Sequence, residues 1–288
     1  MKFKKSILIL SLIILLAAAL RLVAVSNTQS LWFDEVVSVK IARQGIISSW
    51  EYLRWENNPP LHYWFLHGWI KIFGGTEKIL RLSSVLWSLL NILAIYLLGR
   101  KLFDRETGLL SAFIFAISAY QIYLARDARM YQMLIFFCLL SFYYFWRLLQ
   151  ENKKSHWYTY AIFTILALYT HLTAVLALLV QNIYFFIHKK YFRKTEPKTN
   201  LWILEEILIL AMFLPWLINF SLRSLSTINS GAWYLNTQGQ GFIFLQIPYA
   251  LLFIGQKFPW IEPLAFFLII TLLLASLIRF NFPNKKRE

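Results

Sequence analysis

The sequence predicts an all-α protein, a polytopic membrane bundle of about eight spans with interfacial helices in its first outer loop. Of its 288 residues, 59% are hydrophobic and 15% are charged, whereas soluble domains are about half apolar and about a quarter charged. Aromatic residues make up 18% of the chain, and such residues favour the membrane–water interface. Apolar stretches near the length of about 20 residues that crosses a bilayer recur between short polar segments.

Eight stretches are predicted to cross the membrane: 6–25, 79–99, 107–124, 130–149, 157–170, 171–188, 201–220 and 261–280. The first follows a basic N-terminus and is longer than the apolar core of a signal peptide, so we interpret it as an uncleaved helix. The run from Trp157 to His188 is too long for one crossing at about 1.5 Å per residue. We therefore divide it at Thr170–His171, where polar groups can face water.

The charges predict the orientation of these spans. The net charge is +15, and the basic residues fall in short clusters between apolar stretches: Lys2, Lys4, Lys5, Arg100, Lys101, Arg105, Lys189, Lys190, Arg193, Lys194, Lys285, Lys286 and Arg287. Such clusters are typical of cytoplasmic loops. They predict cytoplasmic termini in a plasma or inner membrane, and outer segments at 26–78, 125–129 and 221–260. Because the clusters form no basic surface with interleaved aromatic residues, we expect no nucleic-acid partner.

Two further features complete the predicted architecture. The apolar stretch 242–255 is short and contains Gln246 and Pro248, so we expect an interfacial helix on the outer surface. The single cysteine, Cys138, lies in an apolar run and can form no internal disulfide. Residues 1–288 are therefore expected to form one membrane domain.

Segment 26–78 collects ionisable residues and begins with the motif Leu31-Trp32-Phe33-Asp34-Glu35. One acid here could cap the following helix, because a carboxylate accepts hydrogen bonds from free amide groups of the first turn. Capping does not explain two adjacent acids beside apolar residues, where desolvation favours the protonated form. Such a carboxylate also suits a general base. Both interpretations remain open from the residues alone.

Two more outer motifs contain candidate substrate ligands. Asn58-Pro59-Pro60-Leu61-His62-Tyr63-Trp64 begins a helix rich in aromatic residues. His62 and His67 are five residues apart and do not form an i, i+4 metal pair, so hydrogen-bonded interfacial histidines are favoured. The third motif is Arg126-Asp127-Ala128-Arg129-Met130-Tyr131. If this turn is helical, Arg126 and Arg129 share a face; they could snorkel to headgroups, but a forked guanidinium also matches a phosphate.

These motifs, together with Arg81-Leu82-Ser83-Ser84-Val85, occur in an order that resembles a known family. The chain from about residue 20 to 190 resembles membrane glycosyltransferases related to dolichyl-phosphate-mannose protein mannosyltransferase and lipid A aminoarabinose transferase. The resemblance implies a C-type helical bundle that transfers a sugar, with inversion, from a polyprenyl-phosphate donor. The acceptor would be a hydroxyl or similar group of a glycan, lipid or protein at the outer membrane face.

The resemblance also implies roles for individual residues. Asp34 would be the general base, and Glu35 its neighbour in substrate or metal binding. Arg129 would hold the donor phosphate, with Arg126 as a second contact. The expected substrate-binding residues are Asn58, His62, Tyr63 and Tyr131, of which His62 and Tyr63 would line the mouth of the site. The resemblance demands no cofactor and leaves room for a divalent metal ion.

The main alternative is a non-catalytic protein, either a transporter of the lipid carrier or a partner subunit of a glycosylation system. A transporter is expected to have Gly- or Pro-broken spans in repeated halves, with ionisable groups at mid-membrane. Here the spans are mostly continuous and the ionisable groups gather at one face. That distribution favours an enzyme over a transporter.

Overall fold

The computed structural model describes residues 2–28, 30–53, 58–151, 153–188 and 199–229, and these ranges contain eleven helices and no strand. The helices are α1 (Lys2–Ser26), α2 (Phe33–Arg43), α3 (Ile46–Tyr52), α4 (Leu61–Phe73), α5 (Glu77–Leu102), α6 (Arg105–Ile117), α7 (Ala119–Ala125), α8 (Tyr131–Glu151), α9 (Lys154–Thr170), α10 (Ala174–His188) and α11 (Thr199–Asn229). Met1–Asn229 forms one compact unit. The predicted interfacial helix at 242–255 and the span at 261–280 lie outside the described residues.

The all-helical prediction is confirmed for the described residues, but the count of eight spans is not. Four described helices, α1, α5, α8 and α11, are long and apolar enough to cross a bilayer, and a bent pair makes up to five. The predicted division of the run 157–188 is confirmed, because α9 ends at Thr170 and α10 begins at Ala174. The last described helix, α11, continues to Asn229 instead of ending near residue 220.

The predicted single span at 107–124 is in fact two helices, α6 and α7, which meet at an angle of 62°. Ser118 separates them, and its hydroxyl accepts an amide hydrogen bond from the first turn of α7. Arg21 on α1 stabilises the break from the other side, because its guanidinium donates to the main-chain carbonyls of Ala116 at 2.9 Å and Phe115 at 3.3 Å. A buried cation at a helix C-terminus satisfies carbonyls that lack a partner within the helix.

The long helices place the two sets of loops at opposite ends of the bundle. At one end, Arg81 near the start of α5 bonds to Glu35 on α2. At the other end, Glu151, the last residue of α8, forms ion pairs with Lys101 and Lys153 at 3.2 Å, and its carboxylate lies 3.0 Å from Nε2 of His156. Because α5 and α8 both run from the first of these ends to the second, the acidic motif and the described basic residues are separated by the length of a helix.

Three short helices fill the segment between α1 and α5. His67 of α4 contacts the carbonyl oxygen of Ala42 in α2 at 2.7 Å through Nδ1. The Trp64 indole donates to the Ser49 hydroxyl in α3 at 3.1 Å. These bonds tie α2 and α3 to α4, which packs against α5 and α9. His67 is therefore a hydrogen-bonded structural histidine, as the spacing argument favoured.

Candidate functional site

The first turn of α2 is anchored by Glu35, whose side chain is fully buried. Arg81 holds this carboxylate with two bonds, from Nε at 3.1 Å and from Nη2 at 2.8 Å. The main-chain amides of Trp32 and Ala128 donate to the same carboxylate at 3.2 Å and 2.9 Å. A bidentate, hydrogen-bonded partner offsets much of the cost of burying a carboxylate. Glu35 therefore joins three segments of the chain at one point, and it also provides the capping contact of α2.

Asp34, the other acid of the pair, is differently placed. Its side chain is 39% exposed, and its Oδ2 lies 3.6 Å from Nη2 of Arg129. The Nη1 atom of Arg129 donates to the main-chain oxygen of Asp34 at 3.0 Å and to the Ser38 hydroxyl at 2.8 Å. Arg129 is nearly buried, and its Nε has no hydrogen-bond partner among the described residues. The structure thus brings the predicted base and the predicted phosphate ligand into direct contact.

The turn between α7 and α8 carries both predicted arginines, but it is irregular and not helical. The Ser84 hydroxyl of α5 fixes this turn by donating to the main-chain oxygens of Asp127 at 2.5 Å and Arg129 at 3.3 Å. While Arg129 reaches Asp34, the Arg126 guanidinium lies over the Tyr123 ring, 4.6 Å from its centroid. The two guanidinium groups therefore have different partners and do not share a helical face.

Arg126 lines a pocket of about 470 Å³ beside the turn. Its lining includes Trp32, Glu35, Arg81, Tyr123, Arg126 and Asp127. Asp34 does not line the pocket, although its neighbour Glu35 does. The pocket is open to solvent and its walls carry mostly hydrogen-bonding groups.

Asp127 is the unusual acid of this pocket. Burial, together with the negative charge of Glu35, raises the pKa of its carboxyl to about 6, although the charges of Arg126, Arg81 and Arg129 oppose this shift. Its side chain forms no ion pair within 4 Å among the described residues. Asp127 therefore gains or loses its charge in a pH range where most carboxylates stay ionised.

His62 and Tyr63, expected at the mouth of the site, are buried beneath it. Their residues are 2% and 0% exposed. Burial and the charge of Arg129 lower the pKa of His62 to about 3, so the ring is neutral. The nearby main chain of Ala128 acts in the opposite direction and raises the pKa of His62 slightly. It is not close enough in distance or angle to count as a hydrogen bond, so neither ring nitrogen has a partner among the described residues. Both residues can contact a substrate only if the covering residues move.

The other predicted substrate ligands lie at the same end of the bundle. Asn58 is half-buried just before α4, and Tyr131 is half-buried at the first position of α8. The ring centroid of Tyr131 lies 6.4 Å from that of His171, in the break between α9 and α10. Burial and the charge of Arg129 lower the pKa of His171. The break predicted from the apolar run therefore opens beside the candidate site.

The site residues do not fit the divalent metal ion that the sequence allows. Both carboxylate oxygens of Glu35 already accept hydrogen bonds, and one oxygen of Asp34 faces Arg129. Hard divalent cations require several oxygen ligands. No group of three His, Cys, Asp or Glu side chains is arranged to hold a metal within the part of the chain that the structure describes.

Four contributors to the site had no role assigned from the sequence. Arg81 and Ser84 belonged to a motif of the resemblance, and Ser38 and Asp127 were not singled out. The available signal was the i, i+3 spacing of Arg81 and Ser84, which places them on one face of a helix. Their partners are far along the chain, so the spacing alone could not identify them.

Comparison with known proteins assigns the family. The sequence pattern described as dolichyl-phosphate-mannose-protein mannosyltransferase matches residues 57–219, which is more than half of the chain. This range contains Arg81, the turn with Arg126 and Arg129, and His171, and it begins after Asp34. The chain has no significant match among curated proteins. The chain therefore belongs to the dolichyl-phosphate-mannose-protein mannosyltransferase family and is a membrane glycosyltransferase.

Proposed function

We propose that the chain transfers a sugar from a polyprenyl-phosphate carrier to an acceptor hydroxyl, with inversion, and that Asp34 is the general base. The observation that carries this proposal is the contrast between the two adjacent acids. Glu35 is fully buried and both its oxygens are bonded, whereas the Asp34 carboxylate is accessible and lies against a guanidinium. Asp34 is thus the exposed acid of the pair, whereas both oxygens of Glu35 already accept hydrogen bonds.

The reaction needs one base and one stabilised leaving group. The acceptor oxygen gives its proton to the Asp34 carboxylate as it forms a bond to the anomeric carbon. The bond between that carbon and the phosphate oxygen breaks, and the polyprenyl phosphate keeps the electron pair. A single displacement of this kind inverts the anomeric configuration, by analogy with inverting glycosidases.

Arg129 and Arg126 supply positive charge for the leaving phosphate. Fixed cations stabilise developing negative charge without having to reorganise during the reaction. Arg129 is held in place by Ser38 and by the main chain of Asp34, and Arg126 is half-buried at the pocket wall. The donor would therefore bind along the turn between α7 and α8. Tyr131 and Asn58 are proposed as substrate contacts near this turn.

The active site would face the outside of a plasma or inner membrane, with both termini in the cytoplasm. The basic clusters near Lys101 and Lys153 lie at the end of the bundle opposite Asp34. Clusters of this kind are retained in the cytoplasm during insertion. The acceptor would then be a glycan, lipid or protein exposed at the outer face.

The function is tested with membranes that contain the full chain and labelled donors. The donors are polyprenyl-phosphate mannose and other polyprenyl-phosphate monosaccharides, and the readout is label in endogenous acceptors. We expect Asp34→Asn to lower transfer by at least about 100-fold, because a positioned general base contributes roughly 10²–10⁴-fold. Glu106→Gln, an exposed acid at the opposite end of the bundle, is the matched control and should transfer at the wild-type rate.

Each negative result has a separate meaning. If wild-type membranes transfer no sugar from any of these donors, the proposed activity is wrong. If wild-type membranes are active and Asp34→Asn is equally active at equal protein level, the base assignment is wrong. Retention of the donor's anomeric configuration in the product would exclude the single displacement.

A further inference from the structure

The end of the bundle opposite Asp34 carries basic residues that are fixed around one acid. The carboxylate of Glu151 lies 3.2 Å from Nζ of Lys101 and 3.2 Å from Nζ of Lys153. Arg147 donates to both oxygens of the same carboxylate, from Nε at 3.1 Å and from Nη2 at 3.2 Å. Lys101 ends α5, Arg147 belongs to α8, and Lys153 lies in the connection to α9. Positive charge from three segments is therefore held around a single carboxylate and exceeds it.

The start of α9 adds to this positive charge. The helix begins at Lys154, its first turn contains no acid, and the side chain of its N-cap residue, Lys153, makes no capping hydrogen bond. A helix N-terminus carries partial positive charge and amide groups without partners in the helix. In the connection between α5 and α6, by contrast, two basic residues are matched by two acids: Arg100, Arg105, Asp104 and Glu106. The excess of positive charge therefore lies on the side of α9.

The outward face of α9 passes from this charge to apolar residues. Lys154, Tyr158 and Ile162 are spaced at i, i+4, so they lie on one side of the helix, about 6 Å apart along its axis. Lys154 is exposed, and the exposed fractions of Tyr158 and Ile162 are 66% and 52%. We call these three residues the α9 stripe. Because α9 returns along α8, the stripe runs from the end of the bundle towards its middle.

The order of residues in the α9 stripe matches the order of groups in a phospholipid. The helices α5 and α8 are long and apolar enough to cross a bilayer, so their ends lie at the level of the headgroups. A cation suits the phosphate, a tyrosine suits the interface below it, and an aliphatic side chain suits the acyl chains. A soluble anion would leave Tyr158 and Ile162 unused, and a lipid without net charge would leave the excess of positive charge unused.

We propose that the α9 stripe, together with Lys153, binds an anionic phospholipid in the leaflet opposite Asp34. Lys153 and Lys154 contact the phosphate, Tyr158 lies at the level of the glycerol esters, and Ile162 contacts an acyl chain. In the orientation proposed above, this leaflet is the cytoplasmic one, where clusters of Lys and Arg attract anionic lipids. The inference does not depend on the proposed transfer reaction, because that reaction takes place at the other end of the bundle.

Direct binding tests this proposal without requiring turnover. The full chain in a nonionic detergent is titrated with phosphatidylglycerol or with phosphatidylcholine of the same acyl chains, and bound lipid is counted by native mass spectrometry. We expect the wild type to prefer phosphatidylglycerol. The double variant Lys153→Gln/Lys154→Gln should bind it about 10-fold more weakly or worse, since each lysine near an anionic surface contributes roughly 5-fold in affinity. Both lysines are exposed, so the substitutions leave the packing of the helices unchanged.

The matched control removes the same charge from the other end of the bundle. Lys71 and Lys78 are exposed lysines on α4 and α5, and Lys71→Gln/Lys78→Gln should bind phosphatidylglycerol as the wild type does. A Tyr158→Ala variant should also bind this lipid more weakly, although its charge is unchanged.

Three outcomes overturn the proposal. The first is equal affinity of the wild type for the two lipids, and the second is an equal loss of affinity in the two double variants. The third is displacement of the lipid by glycerol phosphate at equal concentration, which would mean that the residues bind a simple anion and not a lipid. A chain that binds phosphatidylglycerol selectively but transfers no sugar would contradict the proposed function and leave this inference standing.

Discussion

Three acids near one another in space differ in their surroundings, and these differences separate their roles. Glu35 is buried and bonded to Arg81, Asp34 is accessible and contacts Arg129, and Asp127 lines a pocket. The sequence places two acids at the start of α2, and it predicts that at least one has a function beyond capping. It does not predict which of the two is buried, because the answer depends on Arg81, 46 residues further along the chain. Asp127 escaped notice for a similar reason, since its pocket is assembled from separate segments.

The raised pKa of Asp127 predicts a pH-dependent stability. Its pKa rises from the ordinary 3.8 to about 6 on folding, so between about pH 4 and pH 6 the folded chain retains a proton that the unfolded chain has lost. The contribution of Asp127 to stability therefore falls as pH rises through this window, and above about pH 6 its charged form is a cost. Asp127→Asn removes this titration.

The measurement is the thermal unfolding midpoint of the wild type and Asp127→Asn in one detergent, from about pH 5 to about pH 8. We expect the variant to gain stability relative to the wild type as pH rises. A difference between the two midpoints that stays constant over this range would contradict the predicted titration. Other groups titrate equally in both proteins, so the difference isolates Asp127.

At the scale of helices, α5 brings the two halves of the site together. Arg81 binds the start of α2 through Glu35, and Ser84, one turn later, binds the turn that carries Arg129. The contact between Asp34 and Arg129 therefore depends on a single face of α5. Helix boundaries set by apolar length, such as the break at Thr170, could be predicted from the sequence. The bend between α6 and α7 could not, because it depends on a tertiary contact with Arg21.

This arrangement predicts strong coupling between Glu35 and Arg81. Glu35→Gln or Arg81→Gln leaves one buried charge without a partner, which typically costs about 3–5 kcal/mol. We expect the double variant to lose less than the two single losses combined, by about 1–3 kcal/mol, because it restores neutrality. Denaturant unfolding in detergent micelles measures all four proteins.

A functional measurement separates positioning from general loss of folding. In the folded fraction of each single variant we expect a lower kcat and little change in donor KM, since the base is displaced while the donor site persists. Arg81→Lys should not restore kcat, because an ammonium group cannot form the bidentate contact. If the losses of kcat in the two single variants add up in the double variant, or if Arg81→Lys has the wild-type kcat, then the ion pair does not position Asp34.

Across the whole molecule, charge is distributed unevenly between the two ends of the bundle. The described basic end includes Lys101, Arg147 and Lys153, all grouped around Glu151. At the other end, Arg81 and Arg129 are bound to acids within the site, so they contribute less to the charge of the surface. The membrane class and the separation of basic and acidic loops could be predicted from composition and spacing. The number of spans could not be predicted in this way, because α9 and α10 are too short for length and composition to show whether each crosses the membrane.

The proposed orientation predicts which end of α5 faces outward. Lys78, exposed in its first turn, should lie outside, and Glu106, exposed beyond its last residue, should lie in the cytoplasm. The reason is that cytoplasmic loops carry the excess of lysine and arginine. In a Cys138→Ser background, Lys78→Cys and Glu106→Cys each provide a single thiol. A maleimide that cannot cross membranes should label Lys78→Cys in intact cells, and should label Glu106→Cys only after the membrane is permeabilised. The opposite pattern would place Asp34 and the pocket lined by Asp127 at the cytoplasmic face, where the sugar donor would have to be presented on the inner leaflet. Labelling of both positions in intact cells would instead mean that α5 does not cross the membrane, and the separation of the two loop sets would then have no topological meaning.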